Sequence, residues 1–207
     1  NLCAQTGTFE TSIDPDVGSN NNNAVAVRAI SDGLIICAVS GCPDSSPCLD
    51  IVKTDWAGNL VWEKNIEDPL NEIRFSLESC TVNSNNDFFT MNGKYVDGNR
   101  QFVISFFDYN GNELWYKDYG TEDKESGLGG IIQVENEHLL AYCSTGIDWV
   151  YAKTMLTKID NEGDVLWQKK YAIDIDTLPF SFAHHFTLSS NGDYLFTVET
   201  PLPPPDI

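Results

Sequence analysis

Short apolar, β-branched and aromatic runs separated by polar turns recur along the whole chain, and no stretch keeps a helical period beyond two turns. Ile51-Val52 leads into a polar turn, and Leu60-Val61-Trp62 leads out of it. Runs of this length, rich in β-branched and aromatic residues and bounded by Gly, Asn and Asp, read as β-strands joined by tight hairpins. The hydrophobic pattern alone therefore predicts an all-β protein.

The pattern repeats. Lys53-Thr-Asp-Trp-Ala-Gly-Asn-Leu-Val-Trp-Glu-Lys64 returns as Phe106-Phe-Asp-Tyr-Asn-Gly-Asn-Glu-Leu-Trp-Tyr-Lys117 and again as Lys158-Ile-Asp-Asn-Glu-Gly-Asp-Val-Leu-Trp-Gln-Lys169. Gly follows Asp by three residues, Trp follows Gly by four, and Lys follows Trp by two in every copy. The aspartates are Asp55, Asp108 and Asp160, so the period is 53 and then 52 residues. Self-similarity at this spacing marks a repeat architecture. Asp-x-x-Gly is a turn with a mechanism: Asp accepts from the backbone two residues on, and Gly adopts positive φ without steric cost.

A second hairpin precedes each of these and occurs a fourth time. Its turns lie at Ser31-Asp-Gly33, Asn86-Asp87, Asn136-Glu-His138 and Asn191-Gly-Asp193, after expected strands over residues 24–30, 75–82, 129–134 and 181–188. One period thus holds two hairpins, or four short antiparallel strands, which is the size of a β-propeller blade.

The copies resemble the Lys-Thr-Asp-x-x-Gly-Asn-Leu-x-Trp-x-Lys repeats of secreted β-propeller proteins from Bacteroidetes-type bacteria, over residues 24–200. The first copy carries Lys53, Asp55, Gly58, Asn59, Trp62 and Lys64. The second keeps Asp108, Gly111, Asn112, Trp115, Lys117, Tyr119 and Gly120, with Phe106 in place of Lys. The third keeps Lys158, Asp160, Gly163, Trp167, Lys169 and Tyr171. The resemblance implies a propeller and, from family habit, export by type IX secretion. Two related motifs miss: the sialidase Asp-box places Gly two residues after Asp, and the tryptophan-docking motif of quinoprotein-type propellers is one residue longer before Gly. By analogy with the latter, each repeated Trp is expected to pack between neighbouring blades.

The expected organisation is a lead strand and Asn-rich loop over residues 1–23, then blades over about 24–70, 73–121 and 126–176, and a partial blade over 180–207. Propellers have about four to eight blades, so the ring is expected to be incomplete here and this segment to be the N-terminal part of a longer protein. The alternative is a four-bladed ring completed by a strand over residues 6–13.

Charge narrows the partners. Twelve basic and 31 acidic side chains give a net charge of −19, which repels nucleic acid and anionic membrane surfaces. No run is long enough for a membrane-spanning helix, and no signal peptide is visible, although Asn1-Leu-Cys-Ala-Gln5 reads as the tail of one. No cofactor is expected. Weak Ca2+ binding at acidic loops is the one alternative, with Asp160-Asn-Glu-Gly-Asp164 the nearest approach, and no loop has an EF-hand ligand ladder. Of six cysteines, Cys42 and Cys48 flank a polar, proline-containing loop and are expected to be joined by a disulfide, in keeping with an oxidising compartment. Cys37, Cys80 and Cys143 fall in strands and read as small buried hydrophobes.

Chemistry-bearing residues are sparse. His138 lies in a turn, and the adjacent His184 and His185 should face opposite sides of a strand. No Gly-x-Ser-x-Gly elbow and no phosphate-cradling glycine loop is present. Trp56, Tyr95, Tyr109, Trp149 and Tyr151 lie near turns and could present a sugar-binding platform. The expectation is a non-catalytic, secreted or cell-surface module for binding, adhesion or structure. Its partners would be a protein or glycan at the cell surface and the remainder of its own chain. The alternatives are a carbohydrate-binding or carbohydrate-active propeller and a self-associating surface or filament subunit.

Overall fold

The computed structural model describes residues 23–41, 47–67, 74–96, 99–119, 126–145, 153–171 and 182–199. Every regular element there is a strand except one turn of 3-10 helix. The first blade contains β1 (Asn23–Ile30), β2 (Gly33–Gly41), β3 (Pro47–Asp55) and β4 (Leu60–Glu67). The second contains β5 (Arg74–Val82), β6 (Phe88–Val96), β7 (Asn99–Phe107) and β8 (Glu113–Tyr119), and the third β9 (Ser126–Gln133), β10 (Leu139–Thr145), β11 (Lys153–Ile159) and β12 (Val165–Tyr171). A final hairpin pairs β13 (Phe182–Leu188) with β14 (Tyr194–Glu199). Within each sheet the strands lie in sequence order and pair antiparallel. The architecture is all-β, built of four-stranded blade-like sheets, and the described residues do not close a ring. The first strands face one another, with β5 packed between β1 and β9. The last strands β4, β8 and β12 stand at the outer rim as sheet edges. No helix among the described residues is long and apolar enough to cross a membrane.

Alternation explains how the sheets stack, because successive side chains on a strand point to opposite faces. On β2 and β3 one face carries Ile35, Cys37, Leu49 and Ile51, and it meets Cys80, Phe88 and Phe107 of the second blade. The second blade presents Phe89, Met91, Phe102 and Ile104 to Ile131, Leu139, Ala141, Cys143 and Met155 of the third. The third presents Leu140, Tyr142 and Leu156 to Phe186 of the last hairpin. The core is thus a series of seams, each between two sheets, as expected when every repeat contacts only its neighbours.

One irregularity recurs in every complete blade. Lys53 pairs with Trp62 and Thr54 with Leu60, so Val61 has no partner. Leu114 is skipped in the same way before Trp115, and Leu166 before Trp167. This one-residue β-bulge re-aims the strand. It turns the tryptophan onto the face that meets the next blade and leaves Val61, Leu114 and Leu166 about half exposed at the rim.

Candidate functional site

The repeated aspartates close the tight turns of the second hairpins. Asp55 Oδ1 accepts from the backbone N–H of Ala57 and Asn59, both at 2.8 Å, and Oδ2 accepts from the Asn59 side chain at 2.8 Å. Asp108 does the same with Asn110 and Asn112 at 2.8–2.9 Å. Asp160 accepts from Glu162 and Asp164 at 3.1 and 2.7 Å. The closing glycines Gly58, Gly111 and Gly163 have φ of 82°, 76° and 83°. These bonds favour the ionised carboxylate: the Asn59 side chain is the main cause that holds Asp55 below the usual range, and the Asn112 backbone N–H that holds Asp108 there. The same turn closes the first hairpins of the second blade and the last, with Asn83 and Ser189 in the Asp role and Asn86 (φ 66°) and Gly192 (φ 86°) in the Gly role.

The tryptophans lie on the last strand of each blade, partly buried, and Trp62 and Trp115 are seated on the turn glycine of the following blade. A Cβ added to Gly111 would lie 3.0 Å from Cη2 and 3.1 Å from Cζ3 of Trp62. One added to Gly163 would lie 3.1 Å from Cη2 of Trp115 and 2.9 Å from Cδ of Lys117. Trp62 also stacks on Phe88 at 6.1 Å between centroids. Trp115 donates its indole N–H to the Asn161 carbonyl at 3.3 Å. The Trp62 indole N–H is buried with no acceptor. Trp167 packs against the third-seam core that contains Leu156 and Phe186. Tyr119 completes the second seam by donating to the Gly163 carbonyl at 2.8 Å, and burial pushes its phenol pKa up. Lys117 meets Asp164 at 2.8 Å.

Charged residues join the seams at the same end of the blades. Lys53 is 2% exposed, the more notable because its counterpart in the second repeat is Phe106. Its ammonium lies 3.3 Å from the Tyr109 ring centroid and 3.1 Å from Asp32 Oδ2. Tyr109 donates its hydroxyl to the same Asp32 oxygen, and that bond is the main cause that holds Asp32 below the ordinary carboxylate range. Asp32 itself is 48% exposed, so the cluster opens to solvent on one side. In the third repeat Lys158 pairs with Glu135, which also accepts from Tyr194 at 3.2 Å. Lys158 holds Glu135 low, and Glu135 pushes Lys158 up. The turns are bonded to one another as well: Ser31 N–H donates to Asn86 Oδ1 at 2.8 Å, and the Ser84 hydroxyl to Glu137 Oε1 at 2.7 Å.

The sequence did not reveal the Lys53–Asp32–Tyr109 and Lys158–Glu135–Tyr194 clusters. A lysine in phase with Ile51 on a strand's core face was the available signal. The remaining candidates are scattered. Trp56 is 50% exposed and donates its indole N–H to the Ser31 carbonyl at 3.3 Å. Tyr109 is committed to the first seam. Tyr95 lies on β6, and Trp149 and Tyr151 lie outside the described residues. His138 ends the 3-10 turn with its Nδ1 buried and unpartnered. His184 and His185 lie on β13, at an irregularity in its pairing with β14. Cys48 lies on β3, whereas Cys42, and with it the Cys42–Cys48 disulfide, lies outside the described residues. Among the described residues no three His, Cys, Asp or Glu side chains are grouped to hold a metal ion, and the Asp160 carboxylate is occupied by its own turn.

Comparison with known proteins leaves the geometry to speak for itself: no protein-family model matches the chain, and no curated protein is detectably similar to it.

Proposed function

We propose that this chain is an extracytoplasmic β-propeller segment that binds rather than catalyses, serving adhesion or structure at the cell surface. The observation that carries the reading is how the residues are spent. The recurring Asp, Gly and Trp make turns and fill seams, while the rim strands hold exposed apolar side chains on open sheet edges. Leu60, Val61, Leu114, Val165 and Leu166 are each about half exposed there. An exposed apolar edge is a surface for a partner. The partner is a protein or glycan at the cell surface, and the charge of −19 disfavours nucleic acid and anionic lipid. The exposed Trp56 supports a carbohydrate-binding variant of the same reading, and the edges support a self-associating one.

The test uses the whole chain against a panel of immobilised polysaccharides and extracellular-matrix proteins, alongside chromogenic glycosidase, esterase and peptidase substrates. Saturable binding that weakens when Val61 and Leu114 are both changed to Ser supports the proposal. Turnover of any substrate that is abolished by His138→Ala overturns it.

A further inference from the structure

We propose that Cys37 and Cys80 are a disulfide pair that staples the first blade to the second when the chain folds in the presence of a disulfide oxidant. The two come from different sheets, β2 and β5. Both are fully buried in the same seam core. Cys80 is a side-chain hydrogen-bond partner of Cys37, so the two thiols are neighbours across the seam.

The register shows that this contact is a special version of a repeated one. Cys37 pairs with Ile51, Met91 with Ile104 and Tyr142 with Leu156, so the three occupy one position in successive blades. Cys80 pairs with Thr90, Ile131 with Ala141 and Phe186 with Phe196, so these occupy the opposing position on the next first strand. Seam three fills the pair of positions with stacked rings, Tyr142 on Phe186 at 5.8 Å. Seam two fills them with Met91 and Ile131 in a single core. Only seam one, among those described, sets two small side chains there, and both carry sulfur. Cys37 and Cys80 are both reduced in the structure, and Cys143 lies in the core of the second seam.

The reaction is thiol–disulfide exchange. The Cys37 and Cys80 thiols give up two protons and two electrons to a low-molecular-weight disulfide. One S–S bond forms between them, one S–S bond breaks in the oxidant, and two small thiols leave. The attacking species is a thiolate. The hydrogen bond with Cys80 and burial both favour the protonated Cys37 thiol in the closed seam, so attack on the oxidant belongs to the stage of folding before the seam closes, and the second cysteine displaces the small thiol as the blades meet. Once the seam has closed on the reduced pair, the thiols are inert. The inference is separate from the binding role and needs only an oxidising environment during folding.

Peptide mapping tests it. The denatured, reduced chain is refolded with oxidised and reduced glutathione or with reduced glutathione alone, then alkylated and digested without reduction. The expected result is a Cys37–Cys80 crosslinked peptide after oxidising refolding, together with a higher urea midpoint than the reduced form. Native reduced protein should resist iodoacetamide at both cysteines. In Cys80→Ser the part of the midpoint gain due to this link should vanish, with Cys37 recovered as a single alkylated peptide. Recovery of Cys37 and Cys80 as separately alkylated peptides after oxidising refolding overturns the proposal. So does Cys37 linked to any other cysteine in the wild-type chain.

Discussion

Adding one methyl group at Gly111 tests the seam directly. Ala at φ 76° takes a left-handed conformation that costs about 1–2 kcal/mol. Its Cβ would also press on the Trp62 ring at 3.0 and 3.1 Å and on Lys64 Cγ at 3.2 Å, which adds an overpacking cost of about 1–3 kcal/mol. Gly192 supplies a control within the same molecule. Its φ is 86°, and a Cβ there would meet nothing within 4 Å. Gly192→Ala should therefore cost only the backbone strain, reduced by about 0.4–1 kcal/mol through the lower entropy of the unfolded chain. Urea denaturation at constant m-value measures both. The expected gap between the two variants is about 1–3 kcal/mol, the overpacking cost alone. Shrinking the ring with Trp62→Leu should make a following Gly111→Ala less harmful than it is alone, giving a coupling energy of about 0.5–3 kcal/mol. Equal losses at Gly111 and Gly192, or strict additivity with Trp62→Leu, would refute the claim that the tryptophan is seated on the glycine.

Trp115→Ala should cost about 2–3 kcal/mol, below the range for a fully buried tryptophan because Trp115 is only partly buried; a denaturation midpoint checks it. Trp115→Phe should lose about 1 kcal/mol more than Trp62→Phe, since only Trp115 has an acceptor for its indole N–H. Lys53→Ala should destabilise more than Lys53→Met, which keeps the buried stem while removing the charge, and thermal unfolding ranks the two. For Asp55 and Asp108, whose folded pKa values lie below 3.8, the sign is that of a depressed acid. Their stabilisation is present above the unfolded value and is lost as pH falls through the folded one. Asp55→Asn with Asp108→Asn should flatten the acid limb of the stability curve below about pH 4, the ordinary aspartate value; an unchanged limb contradicts it. Cys42 and Cys48 should be recovered as one crosslinked peptide, with a contribution of a few kcal/mol at most.

What could be read without coordinates was local and periodic. The Asp-x-x-Gly turn, the two hairpins per period and the placement of tryptophan on the last strand all depend on residues a few positions apart, so their spacing carries them. The seams join residues about one period apart, and no short-range pattern specifies those partners. Asp32 and Tyr109 could not be assigned to Lys53 from spacing, nor the Gly163 carbonyl to Tyr119. The bulge at Val61, Leu114 and Leu166 was hidden for a related reason. Strict alternation puts the residue before Trp on the opposite face, but only pairing across β3–β4 and its counterparts reveals that this residue has no partner. The tryptophans are also less buried than full inter-blade packing implies, because they sit on the edge strand of each blade.

The seating of Trp62 and Trp115 on the next blade's glycine has a direction. Trp62 meets Gly111 and Trp115 meets Gly163, never the reverse. A chain that emerges from its N-terminus therefore completes each ring-bearing edge before the turn that will receive it exists. Every finished blade is a template with its hydrophobic side open, and the next turn closes over it like a latch dropping onto a waiting pin. Assembly in the order of synthesis would need, at each closure, only the preceding repeat to be in place.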